Sequence, residues 1–424
     1  MRYLPVALLS LGILALAGLL IFVFEGLGPA GEDGPDTRRV DFVLSDFQAL
    51  NGWSSDDQTG ALAAFVRSCG ALPQADDRPR RGFRLDGDTP LYGVVGDWRA
   101  PCEALPDPNP TDPALVRAFF ETHFTPVRMV AGSPDETLFT GYFEPEYPAS
   151  ETPDIRYTAP LYTLPDDLLQ ANLGAFSDDF AGRTIVGRLE GARFVPYHNR
   201  QAIEAGALEG KSVPFVYLAN PVDSFFLHIQ GSGRLRLPDG RVLRVGYAGK
   251  NGRAYVPIGR VLRDQGALEP DNISMQTIRG WLEANPGKAP EVMNANPSYV
   301  FFRPLDLPPT DGPIGAQGVP LTDNRSLAVD RRYHALGVPM MLETAVPVDG
   351  LGTRVAFTKL MIAQDTGGAI RGPIRGDVFF GSGSAAGELA GRMAEPGTLT
   401  LLLPKALAAR HFADGDTLTL EIPE

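Results

Sequence analysis

The chain has 424 residues, enough for one large core or two ordinary ones, and two domains are expected. Its 38 prolines and 47 glycines, set among short runs of Val, Ile, Phe and Leu, favour short strands joined by turns over a helical bundle. A formal net charge of −13 without clustered Lys and Arg argues against nucleic-acid binding; five histidines with no HxxxH pair and two cysteines with no CxxC spacing argue against metal catalysis.

Residues 4–24 (LPVALLSLGILALAGLLIFVF) are an uncharged apolar run, matching the roughly 20 residues that cross a bilayer as a helix. Arg2 favours a cytoplasmic N-terminus, which Arg38 and Arg39 weakly oppose. The body is therefore expected to be exported, with a cleaved signal peptide as the alternative. No cysteine directly follows the run, so no lipid anchor is expected. A Gly/Pro/acidic linker follows at residues 30–39. In an oxidising compartment, Cys69 and Cys102 read as a disulfide rather than two buried thiols, contributing about 3–4 kcal/mol by the chain-entropy argument.

A helix is expected over residues 60–69, capped by Asp56 or Asp57, with Leu62, Phe65, Val66 and Cys69 on one face. Asp112 and Pro113 start a second, with Leu115, Val116, Phe119 and Phe120 as core. Residues 138–147 (LFTGYFEPEY) read as a strand that ends at its proline. Glu144 and Glu146, two apart, would share a face there, as a glycosidase-like pair or, preferably, as a solvated face. Tyr157 to Arg200 reads as strand-like pieces broken by turns, and His198, in the stretch 197–203 that follows them, as a structural hydrogen-bonder.

Residues 226–230 (FLHIQ) are expected to form a strand running into Gly231-Ser-Gly, where Gln230, Gly231 and Ser232 offer donors and acceptors suited to sugar hydroxyls and amides. An ordinary turn is the alternative. A hairpin turns at Pro238-Asp-Gly240, followed by the polar and aromatic stretch 245–255 (VGYAGKNGRAY). Short helices are expected over 255–264 and 274–284, the second capped by Ser274. Strand returns at 296–303, and a proline-rich connection leads to 321–330 and 335–343.

Residues 354–362 (RVAFTKLMI) read as a buried strand feeding a glycine-framed stretch with two aspartates, Asp365 and Asp377, the second followed by Phe379 and Phe380. Glycines allow close backbone approach, so such carboxylates can face a cleft. An Asx-turn at Asp365-Thr-Gly-Gly is the alternative reading. A small-residue helix at 384–393 and strands at 398–403 and 417–422 around a helix at 405–411 complete the chain.

Several separated blocks, in order, resemble the membrane-bound lytic murein transglycosylase A family: FTGYFEPEY, HIQGSG, GYAGKNGRAY, NPSYVFF, SLAVD, QDTGGAIRG and GDVFFG. They run from about residue 139 to near the C-terminus, some two thirds of the chain. The resemblance implies a mainly β protein: a double-psi β-barrel with a second, smaller β-domain inserted, plus peripheral helices. On this scheme residues 1–39 are membrane segment and linker, 40–144 and 296–424 build the barrel, and 145–295 form the insert. The last portion would be a three-aspartate domain contributing Asp330, Asp365 and Asp377.

The implied activity cleaves the β-1,4 bond between N-acetylmuramic acid and N-acetylglucosamine, leaving 1,6-anhydromuramic ends, on peptidoglycan glycan strands and without a cofactor. The body would lie on the periplasmic side of a bacterial envelope membrane. Asp377 matches the catalytic acid/base, and Asp365 and Asp330 the supporting aspartates. Thr140, Tyr142, Gln230, Gly231, Ser232, Tyr247, Lys250 and Asp330 are the candidates for lining the glycan groove. Two rival readings are an aspartic protease, which needs a second Asp-Thr/Ser-Gly loop that only a dimer would supply, and a non-catalytic peptidoglycan-binding protein.

Overall fold

The computed structural model describes residues 37–423, apart from residue 86 and residues 107–111, 133–135, 181–182, 270–271, 309 and 349–351. The apolar run at 4–24 lies outside the described residues, among which no helix is long and apolar enough to cross a membrane. Residues 40–419 form one compact unit, and residues 1–39 with 420–424 another, of which only strand ends are described.

The protein is mainly β. A ten-stranded sheet runs, in spatial order, through Ala394–Glu395, Thr137–Glu144, Ile374–Ser382, Ser326–Val329, Arg354–Asp365, Pro339–Pro347, Thr398–Pro404, Phe124–Ala131, Thr37–Leu44 and Thr417–Pro423. Its centre is apolar without alternation: Met340, Met341, Leu342 and Leu360 through Ala363 are all buried. Continuous burial of this kind means that both faces of these strands are covered.

Part of the cover is the helix Thr59–Gly70, which buries Ala61, Leu62, Ala64, Phe65 and Ser68 at helical spacing. Ser68 takes the buried position expected of Cys69, whose sulfur is instead bonded to Cys102. Of the two expected caps, Asp57 accepts the Thr59 N–H at 3.0 Å. Asp56 turns inward, 3 % exposed, where it takes both guanidinium nitrogens of Arg325, Lys359 Nζ and the Leu360 N–H. Burial pushes its carboxyl up, but these donors together hold it below the ordinary value. The helix Pro113–His123 starts as expected, with Asp112 accepting the Ala114 N–H. Leu115, expected in the core, is 61 % exposed because the buried stripe runs through Val116, Phe119 and Phe120.

A six-stranded sheet takes Val300–Leu305, Val242–Lys250, Ser232–Arg236, Glu146–Ser150, Pro214–Leu218 and Ala159–Tyr162 in that order, beside a three-stranded meander of Arg193–Pro196, Thr184–Glu190 and Leu169–Asn172. Its strand Val300–Leu305 lies beyond the boundary expected at residue 295, because that strand pairs with Val242–Lys250.

The expected strand at 226–230 is the end of a helix, Pro221–Gln230. Asn220 caps it by accepting the Val222 N–H, Pro221 sits in its first turn, and Gly231 at φ 77° closes it by donating to Leu227 O. Phe225 through His228 are buried in succession, so the amphipathic period that separates helix from strand is missing.

Glu144 and Glu146 form neither a catalytic pair nor a shared solvated face, since Pro145 divides them between two strands. Glu146 meets Arg236 at the surface. Glu144, fully buried, accepts from Arg234 Nε and Arg244 Nη2, both at 2.8 Å, and from Ser382 Oγ at 2.9 Å. One carboxylate thus joins the ten-stranded sheet to the six-stranded one.

Replacing Arg325 with alanine leaves the buried Asp56 charge without its bidentate partner. The expected loss is about 3–5 kcal/mol of unfolding free energy in urea, and Asp56→Ala/Arg325→Ala recovers part of it. A single variant within error of the parent would remove this pair from the core's support.

Candidate active site

Backbone register brings the chemistry into one row. Ala328, on the central strand Ser326–Val329, stands opposite Asp365 on one side and Asp377 on the other. Asp377 in turn stands opposite Thr140, and Thr140 opposite Ala394. Residues directly opposite one another across strands project on the same face. With strands about 4.8 Å apart, the Asp365 and Asp377 backbones are about 10 Å apart, with only the Ala328 methyl between.

A register shift makes this row. Leu327 pairs with Ala363, yet the next residue, Ala328, pairs with Asp365. The bulge leaves Gln364 without a partner on that strand, and its buried side chain packs toward the helix Thr59–Gly70: its amide donates to Ala64 O at 2.8 Å and Ser68 Oγ at 2.9 Å, and its oxygen accepts from Ser326 Oγ at 2.6 Å. Asp365 is left half-buried, in one row with Ala328 and Asp377.

The floor is apolar, built from Tyr142, Leu321, Ala328, Ile370 and Phe379. Tyr142 and Phe379 hold their ring centroids 5.3 Å apart. Gly141 admits Phe380 and the backbone of Ala390 at distances that a Cβ would forbid. Over this floor the two carboxyls are half-buried. Burial pushes both above the ordinary carboxylate value.

Their partners differ. Asp365 accepts the Thr366 N–H, the Ala316 N–H at 2.8 Å and the Tyr142 hydroxyl at 2.9 Å, all of which oppose burial by favouring the anion. At Asp377 the Arg375 charge and one hydroxyl, Thr140 Oγ1 at 2.8 Å, oppose burial, while the Asp365 charge adds to it. Arg375 Nη2 donates to the same Thr140 oxygen at 2.9 Å, which leaves the Thr140 proton to point at Asp377. No hydrogen bond joins the two aspartates among the described residues.

Thr140, Tyr142, Asp365 and Asp377 are thus one cluster. Asp330 has a different environment: 1 % exposed, it holds Arg332 and the Gly372 N–H, and Thr366 Oγ1 donates to neighbouring Val329 O. Burial raises its carboxyl, but these donors outweigh it and leave it below the ordinary value. It braces the loop between the two catalytic candidates. Gln230 accepts the Phe143 N–H at 3.1 Å, Gly231 is the helix cap already described, and Ser232 is buried at the start of its strand. Tyr247 is 49 % exposed. Lys250, on the same strand, brings Nζ within 4.0 Å of where a Cβ would stand on Gly368.

Three contributors escape sequence reasoning. Tyr255 is pushed up first by burial, with the Arg200 charge opposing and the Asp377 charge adding to it; its only sequence signal is its place at the end of GYAGKNGRAY. Ala316 acts through a backbone N–H that no side chain advertises. Gln364 acts from a buried bulge, through the helix Thr59–Gly70.

The MltA specific insert domain family matches residues 138–303, and the 3D domain family matches residues 325–403. A membrane-bound lytic murein transglycosylase A of Vibrio cholerae is 33% identical over 306 residues, 71% of this chain and 72% of that relative. Among solved structures, a membrane-bound lytic murein transglycosylase from Agrobacterium tumefaciens is 36% identical with a TM-score of 0.75, covering 87% of this chain and 99% of that one. Escherichia coli MltA with bound chitohexaose is 27% identical with a TM-score of 0.60, covering 89% and 98%.

A carboxyl raised on folding holds its proton more tightly in the native state. Its contribution to stability is present below the unfolded value near 3.8 and is lost as pH rises through the raised native value. Asp377→Asn removes that titration. The variant is expected to melt higher than the parent at neutral pH, with the gain shrinking as pH falls; melting curves across that range check the sign, and a lower melting temperature at pH 7 contradicts it.

Proposed function

The chain belongs to the membrane-bound lytic murein transglycosylase A family and is a peptidoglycan lytic transglycosylase, and we propose that Asp377 supplies its chemistry alone, as acid and then as base. The bond cleaved is the β-1,4 link between N-acetylmuramic acid and N-acetylglucosamine. Protonated Asp377 donates to the glycosidic oxygen as the C1–O bond breaks. The resulting carboxylate then takes the proton from the muramic C6 hydroxyl, whose oxygen bonds to C1 of the same sugar. No water enters, and the product ends in 1,6-anhydromuramic acid.

A single carboxyl suffices because the nucleophile is already part of the substrate. A well-oriented intramolecular group acts at an effective molarity of about 10⁵–10⁸ M, replacing the second carboxylate of ordinary glycosidases. The observation that carries the assignment to Asp377 is the unequal donor set. Three donors favour the anion at Asp365, while a single hydroxyl and a nearby guanidinium do so at Asp377. Each hydrogen bond to the charged form favours that form, so the mobile proton belongs on Asp377. Asp365 then acts as the fixed negative neighbour that keeps Asp377 protonated.

The same contrast opposes the aspartic-protease reading, in which two carboxyls share one proton directly. Support for a glycan groove comes from the cluster of Thr140, Tyr142 and Asp377 and from the position of Lys250 opposite Gly368. Peptidoglycan is the substrate, and the Escherichia coli relative's structure with chitohexaose agrees with a glycan ligand.

We read the ten-stranded sheet as a double-psi β-barrel interrupted by the insert. Two parallel pairings of strands distant in sequence support this, Ser326–Val329 with Arg354–Asp365 and Ile374–Ser382 with Thr137–Glu144. Residues 4–24 are proposed to anchor or export the body, in keeping with the membrane-bound relatives.

Asp377→Asn is expected to reduce release of anhydro-muropeptides from purified murein by about 10²–10⁴-fold, the usual share of a general acid, with the fold intact. Asp365→Asn is expected to cost less. Mass spectrometry of the products checks both, and reducing ends in place of anhydro ends would overturn the mechanism. Because the acid must be protonated, kcat is expected to fall as pH rises through the raised Asp377 value.

A further inference from the structure

The loop between Asp365 and Asp377 lies against a cationic pair that the mechanism does not use. Lys250 ends the insert strand Val242–Lys250, and its Nζ stands over Gly368 in the loop between Asp365 and Asp377. Arg371 lies three residues further along that loop, its guanidinium bonded to the carbonyl of its own neighbour Ile370. Both side chains are exposed, and neither has a carboxylate partner among the described residues. Their charges are close enough to interact: burial first, and then the Arg371 charge, push the Lys250 ammonium below its ordinary value.

Like charges on a surface ordinarily separate or find counter-charges, and here the local carboxylates are already engaged. Asp330 holds Arg332 and the Gly372 N–H, and Asp365 holds Ala316 and Tyr142. The loop is not free to carry Arg371 away, because Thr366 and Gly372 tie its two ends to Val329 and Asp330. Lys250 sits on a paired strand. Lys250 from the insert strand and Arg371 from the loop between Asp365 and Asp377 therefore hold two like charges within range of each other.

We propose that Lys250 and Arg371 form a carboxylate clamp that selects acid-bearing substrate over bare chitin-like glycan. The inference rests on the transglycosylase reading for its substrate. Murein offers the required chemistry in two forms: the free carboxylates of its peptide stems, and the lactyl carboxylate of muramic acid where the peptide has been removed. Charge-assisted hydrogen bonds to such a group are about twice as strong as neutral ones, and Arg adds planar bidentate geometry.

The test is a binding measurement, so it stands apart from turnover. Titration calorimetry would compare four probes: a GlcNAc–MurNAc peptide lacking the scissile linkage, the same disaccharide with its lactyl carboxylate free, and chitobiose and chitohexaose, neither of which has a carboxylate. The parent protein is expected to favour at least one acid-bearing disaccharide over a neutral chitobiose of equal length, with chitohexaose reporting the intact groove. In Lys250→Gln/Arg371→Gln that preference is expected to fall about tenfold, as is its sensitivity to added salt. Loss confined to the peptide probe identifies the stem as the source; loss confined to the peptide-free probe identifies the lactyl group. An unchanged preference, or an equal weakening for neutral and acidic probes, overturns the clamp. Absence of anhydro products from the parent would instead overturn the activity, leaving the binding result to stand by itself.

Discussion

Everything in the site follows from holding two carboxyls over an apolar floor on one face of a sheet. Desolvation disfavours both anions, and the fold answers in two ways. Asp365 is surrounded by fixed donors, two of them backbone N–H groups, while Asp377 receives one hydroxyl whose direction is set by Arg375. On the proposed mechanism this difference divides one anion from one proton donor, although sequence and burial treat the two residues alike. Their spacing is set by Ala328, the small residue on the strand between them.

That division depends on a layer that never touches the cleft. Gln364, buried at the bulge, bonds to the helix Thr59–Gly70 through Ala64 and Ser68. Arg325 and Asp56 then tie the start of the central strand to the residues just before that helix. A buried charge of this kind is costly unless its bonds are satisfied, so the network fixes one arrangement. The register of Ala328, and with it the aim of both aspartates, is held from behind.

Glu144 has the corresponding role between the sheets. Fully buried and bonded by Arg234, Arg244 and Ser382, it anchors the insert close to the catalytic row. The strand that carries Arg244 also carries Tyr247 and Lys250. One ion-pair network therefore fixes the strand whose Lys250 approaches Gly368 in the loop between Asp365 and Asp377. Cleft geometry and insert attachment are a single structural problem here.

The sequence by itself determined the strand-rich class, most element positions and the pair Asp365 and Asp377, because glycine framing, proline capping and apolar runs are local signals. The helix Lys405–His411 and the Ser274 cap were legible for the same reason. The family resemblance, carried by spaced blocks, added the activity. What only the tertiary structure decided is non-local. Pro221–Gln230 is a helix because buried neighbours cover it nearly all round, which erases the period that would announce it. Glu144 is a buried strut because Arg234 and Arg244, about a hundred residues away in the chain, reach it. Asp330 is a brace because a backbone N–H from Gly372 finds it. Above all, a one-residue register shift beside Ala328 decides that Asp365 joins Asp377 in one row and that Gln364 is buried against the helix Thr59–Gly70. Side-chain direction in a sheet has a period of two, so a single bulge reverses it, and no local pattern in the chain records where that bulge falls.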